Sequence, residues 1–271
     1  MKSTIPLLAT LATLALLPFA LADEAGEAEK KAKPLRVLML TGGCCHDYKA
    51  QKEVLSAGIG QRANVEFTVV QEDGPGRNTT HQFDLLKKDD WEKDFDAVLY
   101  NICFADEKDV SYITSITETH KKGLPAVALH CTYHSHHWRT ETDSWEEFLG
   151  VTSPGHGPKA PIKMVPTEEG KTHPVMVGFP AEWTTPKGEL YRVKQVWPSA
   201  TVLAMGDNGR NNQACVWVNK FGDTRVFGTS VGHHTETMAE NVYLDMVSRG
   251  LLWVSGNLNE DGTPAAGMGG E

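Results

Sequence analysis

The chain is short of cysteine, of positive charge and of glycine motifs that cradle phosphate. Five cysteines, at 44, 45, 103, 131 and 215, are spread over 271 residues. The number is odd and too low for a disulfide scaffold. No C-x-x-C occurs, which argues against a structural zinc site built from thiolates. Cys44, Cys45, Cys103 and Cys131 each fall just after an expected strand, so they can gather at one sheet edge; their pairing stays open. Basic residues number 26 against 35 acidic ones, a formal net charge of -9. Phosphate binding requires a basic face, so nucleic acid is not an expected partner. Neither G-x-G-x-x-G nor G-K-[ST] is present, which removes a dinucleotide site and a P-loop. No internal repeat or second domain boundary is visible.

At the start of the chain, Lys2 precedes an apolar run from Ile5 to Leu21. Ala20-Leu21-Ala22 then forms a small-x-small cleavage site before Asp23. This reads as a secretory signal peptide over 1–22, not a membrane helix, because acidic residues follow a short apolar run. The expected product is periplasmic or secreted, with no membrane span after cleavage. Residues 23–34, charged and Ala-rich, are expected to form a mobile leader. Residues 257–271, Gly-rich and charged, are expected to be a flexible tail. The body, 35–256, is long enough for one large domain, and whether it forms a homo-oligomer stays open.

Within the body, strands and helices alternate. Leu35 to Leu40 is a continuous apolar run, as in a parallel strand covered on both faces. Further strands are expected at Val65–Val70, Asp96–Asn101 and Ala126–Leu129, with helices at Tyr48–Gly58 and Glu107–Lys122. The segment from Asp84 to Phe95 is mixed and polar. A short helix at Trp145–Leu149 ends at Gly150. The second half turns strand-rich, with strands at Ala160–Val165, Glu189–Val193, Thr201–Met205, Cys215–Asn219 and Arg225–Ser230. Lys220 to Asp223 reads as a hairpin turn, and Ala239–Val254 as the last helix, stopped by Gly256. The pattern predicts an α/β fold: a flavodoxin-like, doubly wound, mostly parallel sheet with helices on both faces and a strand-rich second half.

Chemistry collects where strands end, which is where open α/β sheets bind ligands. The central stretch PAVALHCTYHSHHW, 125–138, ends its strand in His130 and Cys131. His46 follows the Gly42-Gly43 turn, His156 sits between Gly155 and Gly157-Pro158, and His233 follows Gly232. His136 and His137 read as surface loop residues, and His234 as a neighbour. Trp138, Trp145, Trp183 and Trp197 could stack on sugar rings, although core packing is the commoner use of Trp.

Five signatures stand in order: T-G-G-x-x-H at 41–46, A-L-H-C at 128–131, G-H at 155–156, H-P-V-x-x-G with E-L-Y at 173–191, and G-T-S-x-G-H-H at 228–234. Together they resemble the ThuA-like (trehalose utilisation) family, which is similar in fold to class I glutamine amidotransferases. The resemblance spans roughly Leu35 to Gly256. It implies a site at the strand ends, a small-molecule carbohydrate substrate, and functional positions at His46, His130, His156, Glu189 and His233. An amidotransferase-like cysteine hydrolase would need a nucleophile elbow. Its nearest equivalent is Leu129-His130-Cys131-Thr132-Tyr133, which has no glycine on either side and a bulky Tyr133.

Two chemistries suit these residues. His46, His130, His156 and His233 could hold a divalent metal such as zinc, with an open position for water. Alternatively, the same histidines and Glu189 could act without metal as general acid and base, for instance on a proton next to a keto group. A sugar-binding module without catalysis is the third reading.

Overall fold

The computed structural model describes Met1 and residues 32–73, 80–136 and 141–270. The expected signal peptide beyond Met1, most of the expected leader, His137 and Trp138 lie outside the described residues. The chain runs β1 (Leu35–Gly43), α1 (Tyr48–Gly60), β2 (Val65–Gln71), β3 (Ala97–Cys103), α2 (Val110–Lys121), β4 (Ala126–Leu129), α3 (Ser144–Leu149), β5 (Val151–Thr152), β6 (His156–Lys159) and β7 (Lys163–Pro166). It continues as α4 (Glu168–Thr172), β8 (Trp183–Thr184), β9 (Glu189–Tyr191), β10 (Gln195–Val196), β11 (Ala200–Asp207), β12 (Asn212–Phe221), β13 (Thr224–Thr229), α5 (Thr235–Met238) and α6 (Asn241–Val254). No described helix is long and apolar enough to cross a membrane.

Nine strands share one sheet, ordered β2-β1-β3-β4-β13-β12-β11-β7-β8. The first five pair in parallel. From β13 onward every pairing is antiparallel. The expectation of a mostly parallel sheet is therefore corrected: the strand-rich second half joins the same sheet and extends it antiparallel. Hairpin connections force that direction, whereas helical crossovers allow parallel strands. The β12–β13 hairpin turns at Gly222-Asp223, inside the expected segment.

Alternation along β1 builds two cores. Val37 and Met39 pack into one with Leu55 of α1 and Val247 and Leu251 of α6. Leu38 and Leu40 pack into the other with Ile113 and Ile116 of α2 and Trp145 and Phe148 of α3. Each such fully buried side chain contributes roughly 1.5–3 kcal/mol. Two caps fix helix starts. Asp47 accepts from Ala50 N, and Asp109 accepts from Ser111 N and Tyr112 N. The second cap explains why α2 begins at Val110 and not at the expected Glu107.

Other expectations need revision. The strand expected over 160–165 is found as β7, which begins only at Lys163; Ala160, Pro161 and Ile162 lie between it and β6. The polar segment over 84–95 forms two 3-10 turns, Leu85–Lys87 and Trp91–Asp94. The last helix, α6, starts at Asn241, two residues after the expected Ala239, and a separate short helix, α5, precedes it. The tail expected to be flexible is pinned. Asn257 N donates to Leu252 O at 2.7 Å, Asn64 N donates to Met268 O at 2.9 Å, and Asn64 Nδ2 donates to Gly267 O at 3.0 Å. Met268 joins the first core. The tail's glycines serve as turns: Gly267 has φ 75, a conformation other residues rarely adopt.

Candidate functional site

The carboxyl ends of β1, β3, β4 and β13 lie side by side, and their loops build one site. After β1, Gly42 and Gly43 have φ 132 and 104. A Cβ on Gly42 would stand 2.0 Å from Glu72 O, and one on Gly43 2.3 Å from Cys103 O. This glycine pair therefore serves close backbone approach, and it brings Cys44, Cys45 and His46 over the sheet edge.

His130 ends β4 with φ 43, left-handed for a non-glycine residue. Such strain costs on the order of 1–3 kcal/mol and persists only where the surroundings enforce it. Here the clamp is visible: His130 Nδ1 donates to Ser230 O at 2.7 Å, beside the end of β13. In amidotransferase-type elbows the strained position carries the nucleophile. In this chain that position belongs to His130, and Cys131 follows it, joined to Cys103 in a disulfide.

With its proton on Nδ1, His130 presents Nε2 as an acceptor. Tyr191 Oη lies 3.3 Å away and His233 Nδ1 3.3 Å away. His233 Nδ1 also stands 3.2 Å from Glu189 Oε2, while His130 Nε2 is 3.6 Å from the same oxygen. The 3.2 Å contact is within hydrogen-bond range and the 3.6 Å one is not. These partners assign the proton of His233 to Nδ1, which leaves its Nε2 as the acceptor. His156 Nδ1 reaches the other carboxylate oxygen, Oε1, at 3.2 Å. Nδ1 of His46 donates to His233 O at 3.3 Å, and its Nε2 is buried with no partner.

Electrostatics follow from burial. Burial pushes His46 down to about 2, helped by the facing His130 and His233. Burial also lowers His130, against the opposing pull of Glu189. Both imidazoles are thus neutral near pH 7. For Glu189, burial opposes the charged form, but the facing His130 and His233 outweigh it and hold the carboxyl well below the usual carboxylate range. The site therefore holds one buried carboxylate beside the neutral imidazoles of His46 and His130.

A cavity of about 740 Å³ opens over these groups. His46, His233, Glu189 and His156 line it, together with Lys159 and Tyr191. His130 is 1% exposed and lies behind His233 and Tyr191. It does not itself line the cavity and meets the lining through those two neighbours. The four-histidine metal set needs correction. Donor atoms of His46, His130 and His233 lie within 4.8 Å of one another, but His156 falls outside that group and is paired with Glu189.

Tyr191 and His134 are further cavity residues that the sequence reading did not single out. Their rings stack at 4.0 Å. Tyr191 carried a usable signal: two residues after Glu189 on a strand, it shares that residue's face. Among the described residues, no tryptophan lines the cavity. Trp145 and Trp183 are buried in the two cores, and Trp197 is half-buried, its Nε1 donating to Thr152 Oγ1. His136, expected at the surface, is buried against Trp145, and burial lowers it to about 3.

A comparison with proteins of curated function finds no match. Among solved structures, the fold is similar to a ThuA-like protein from Parabacteroides merdae, with TM-score 0.60, 17% identity, 88% of this chain and 98% of the other covered. It is also similar to a ThuA-like protein from Bacteroides uniformis, with TM-score 0.61, 15% identity and 83% and 92% covered. One of the subunits of a GMP synthase, from Thermoplasma acidophilum, is similar with TM-score 0.50, 12% identity and 80% and 94% covered. At these identities the likeness concerns the fold alone: mixed α/β of the flavodoxin and glutamine amidotransferase kind. The family profile ThuA, described as trehalose utilisation, matches residues 36–254. The chain belongs to the ThuA family.

Proposed function

We propose that this protein is an exported enzyme acting on carbohydrates, and that Glu189 and His233 form its working pair. The observation that carries the reading is the 3.2 Å contact between Glu189 Oε2 and His233 Nδ1 at the wall of an open cavity. A buried carboxylate that holds Nδ1–H fixes the tautomer of the imidazole and stabilises the imidazolium formed when Nε2 takes a proton. That arrangement suits proton abstraction next to a sugar carbonyl, as in isomerisation or elimination of a 3-keto sugar, and activation of water for glycoside hydrolysis. Lys159 and His156 at the rim and Tyr191 in the wall offer the few polar groups and the flat ring face a sugar needs. His130 positions the pair from behind.

The test is turnover of a panel of glycosides and their 3-keto forms by the full chain and by Glu189→Gln. Turnover by the parent and its loss in the variant is the expected result. Sugar binding by calorimetry without turnover would assign the chain to the non-catalytic module. A second reading, metal assistance, is favoured by the three clustered imidazoles and the unpartnered His46 Nε2. Neutral imidazoles from three loops are a ligand set that zinc accepts, and such an ion would polarise a carbonyl or lower the pKa of a bound water. Elemental analysis of purified protein separates the two readings. A cysteine-hydrolase reading finds no support, because the Cys131 sulfur is bonded to Cys103.

A further inference from the structure

Beside His46, whose ring nitrogen lies within 4.8 Å of the sulfurs of Cys103 and Cys131, the cavity has a wall of sulfur. Cys44 and Cys45 come from the loop after β1, Cys103 from the end of β3 and Cys131 from the turn after β4. They are paired 44–45 and 103–131. The two pairs touch: Cys44 Sγ lies 3.6 Å from Cys103 Sγ. The sulfurs of Cys44, Cys45 and Cys103 all lie within 4.8 Å of one another. All four cysteines line the cavity, with Cys45 exposed and Cys103 and Cys131 buried. The backbone fixes the arrangement. Cys44 N donates to Cys103 O at 3.2 Å, Tyr48 Oη donates to Cys44 O at 3.2 Å, and Cys45 holds φ 82.

We propose that this wall, once reduced, is a binding site for a soft monovalent cation, Cu(I), with Cys44, Cys45 and Cys103 as its ligands. Thiolate sulfur selects soft, closed-shell ions, and Cu(I) accepts two or three such ligands. Three sulfurs each about 2.3 Å from one trigonal metal stand roughly 4 Å apart. The Cys44–Cys103 separation of 3.6 Å, a contact between the two disulfides, is close to that spacing. Reduction needs a dithiol. Each S–S bond takes two electrons and two protons from one dithiol, which leaves as a disulfide, and two thiols remain on the protein. The cation then displaces one proton from each ligating thiol to solvent, and copper stays Cu(I) throughout. The opening Cys45 gives to solvent is the entry for both reductant and ion. The site is separate from the Glu189–His233 pair and does not rest on it.

The test uses the full chain, reduced with a phosphine, desalted without oxygen and titrated against the Cu(I)–bicinchoninate complex. The reduced protein is expected to strip one Cu(I) per chain from the chelator and to show sulfur-to-copper charge-transfer absorption; the oxidised protein should strip none. Cys103→Ser should weaken binding at least tenfold. Cys45→Ser, at an exposed position, should do so without threatening the fold. Cys215→Ser, a buried thiol on β12 remote from the wall, and His130→Ala should leave binding unchanged. The proposal is overturned if the reduced protein leaves copper with the chelator, if the wall disulfides resist reduction in the folded protein, or if Cys45→Ser binds as tightly as the parent. Loss of binding in His130→Ala with retention in Cys45→Ser would move the metal to the imidazoles and equally overturn it.

Discussion

The parallel half of the main sheet and the separate β6–β9 pair contribute to the site in different ways. The parallel half supplies groups at strand ends: His46 after β1, His130 after β4 and His233 after β13. The second supplies Glu189, Tyr191 and His156 from β9 and β6, which pair with each other outside the main sheet. The first set stands on rigid strands in a fixed order, and the second is laid over it like a flap. The lesson is a division of labour: the parallel strands hold imidazoles in place, and the accessory pair brings the charge that orients one of them.

Glu189→Gln attacks this division most directly. The amide keeps the shape but removes the charge facing His233 Nδ1. Turnover is expected to fall roughly 10²–10⁴-fold, the usual worth of a positioned acid–base group; kcat measured on the panel substrate checks this. His130→Ala removes the support behind the pair and is expected to lower kcat by about tenfold to a hundredfold at nearly constant KM. If His130 positions His233, the pH profile of kcat shifts as well. A drop without that shift would make the role of His130 structural only.

Acid sensitivity comes from buried histidines, in the cores as well as in the site. Burial lowers His120 to about 4, where it is stacked on Phe148 and bonded to Tyr100 Oη and Leu124 O. A histidine whose folded pKa lies below its unfolded value of about 6.5 binds more protons when unfolded, so stability is full above that value and declines as pH falls toward 4. This group alone accounts for on the order of 3 kcal/mol across that window. Urea midpoints at pH 7 and pH 4.5 should differ accordingly; equal midpoints would contradict the assignment. Truncation after Asn257 removes Met268 and the Asn64 bonds and should lower stability by about 2 kcal/mol while leaving turnover per folded molecule intact. His156→Ala, at a side chain 46% exposed, should cost less than tenfold in kcat/KM.

Legibility in the sequence followed the same division. Strand-end histidines could be found because a buried apolar run followed by a titratable residue is a local pattern, and β1, β3, β4 and β13 sit close to their expected ranges. The partners of Glu189 could not be found that way, since β9 has three residues and its place against β12 is a tertiary fact. The burial of His130 and the displacement of His156 from the metal group depend on side-chain packing, to which periodicity is blind. The tail was misread because glycine and charge mark both loose chain and tight turns. Only the contacts with Asn64 and the core distinguish the two.

The most direct measurement is a double-mutant cycle on turnover with Glu189→Gln, His233→Gln and the double variant, folded fractions being matched by circular dichroism. If the carboxylate works through the imidazole, the double variant is no slower than the worse single one, because groups acting as a unit are strongly non-additive. Losses that multiply would mean the two side chains act separately, and the oriented pair would have to be abandoned.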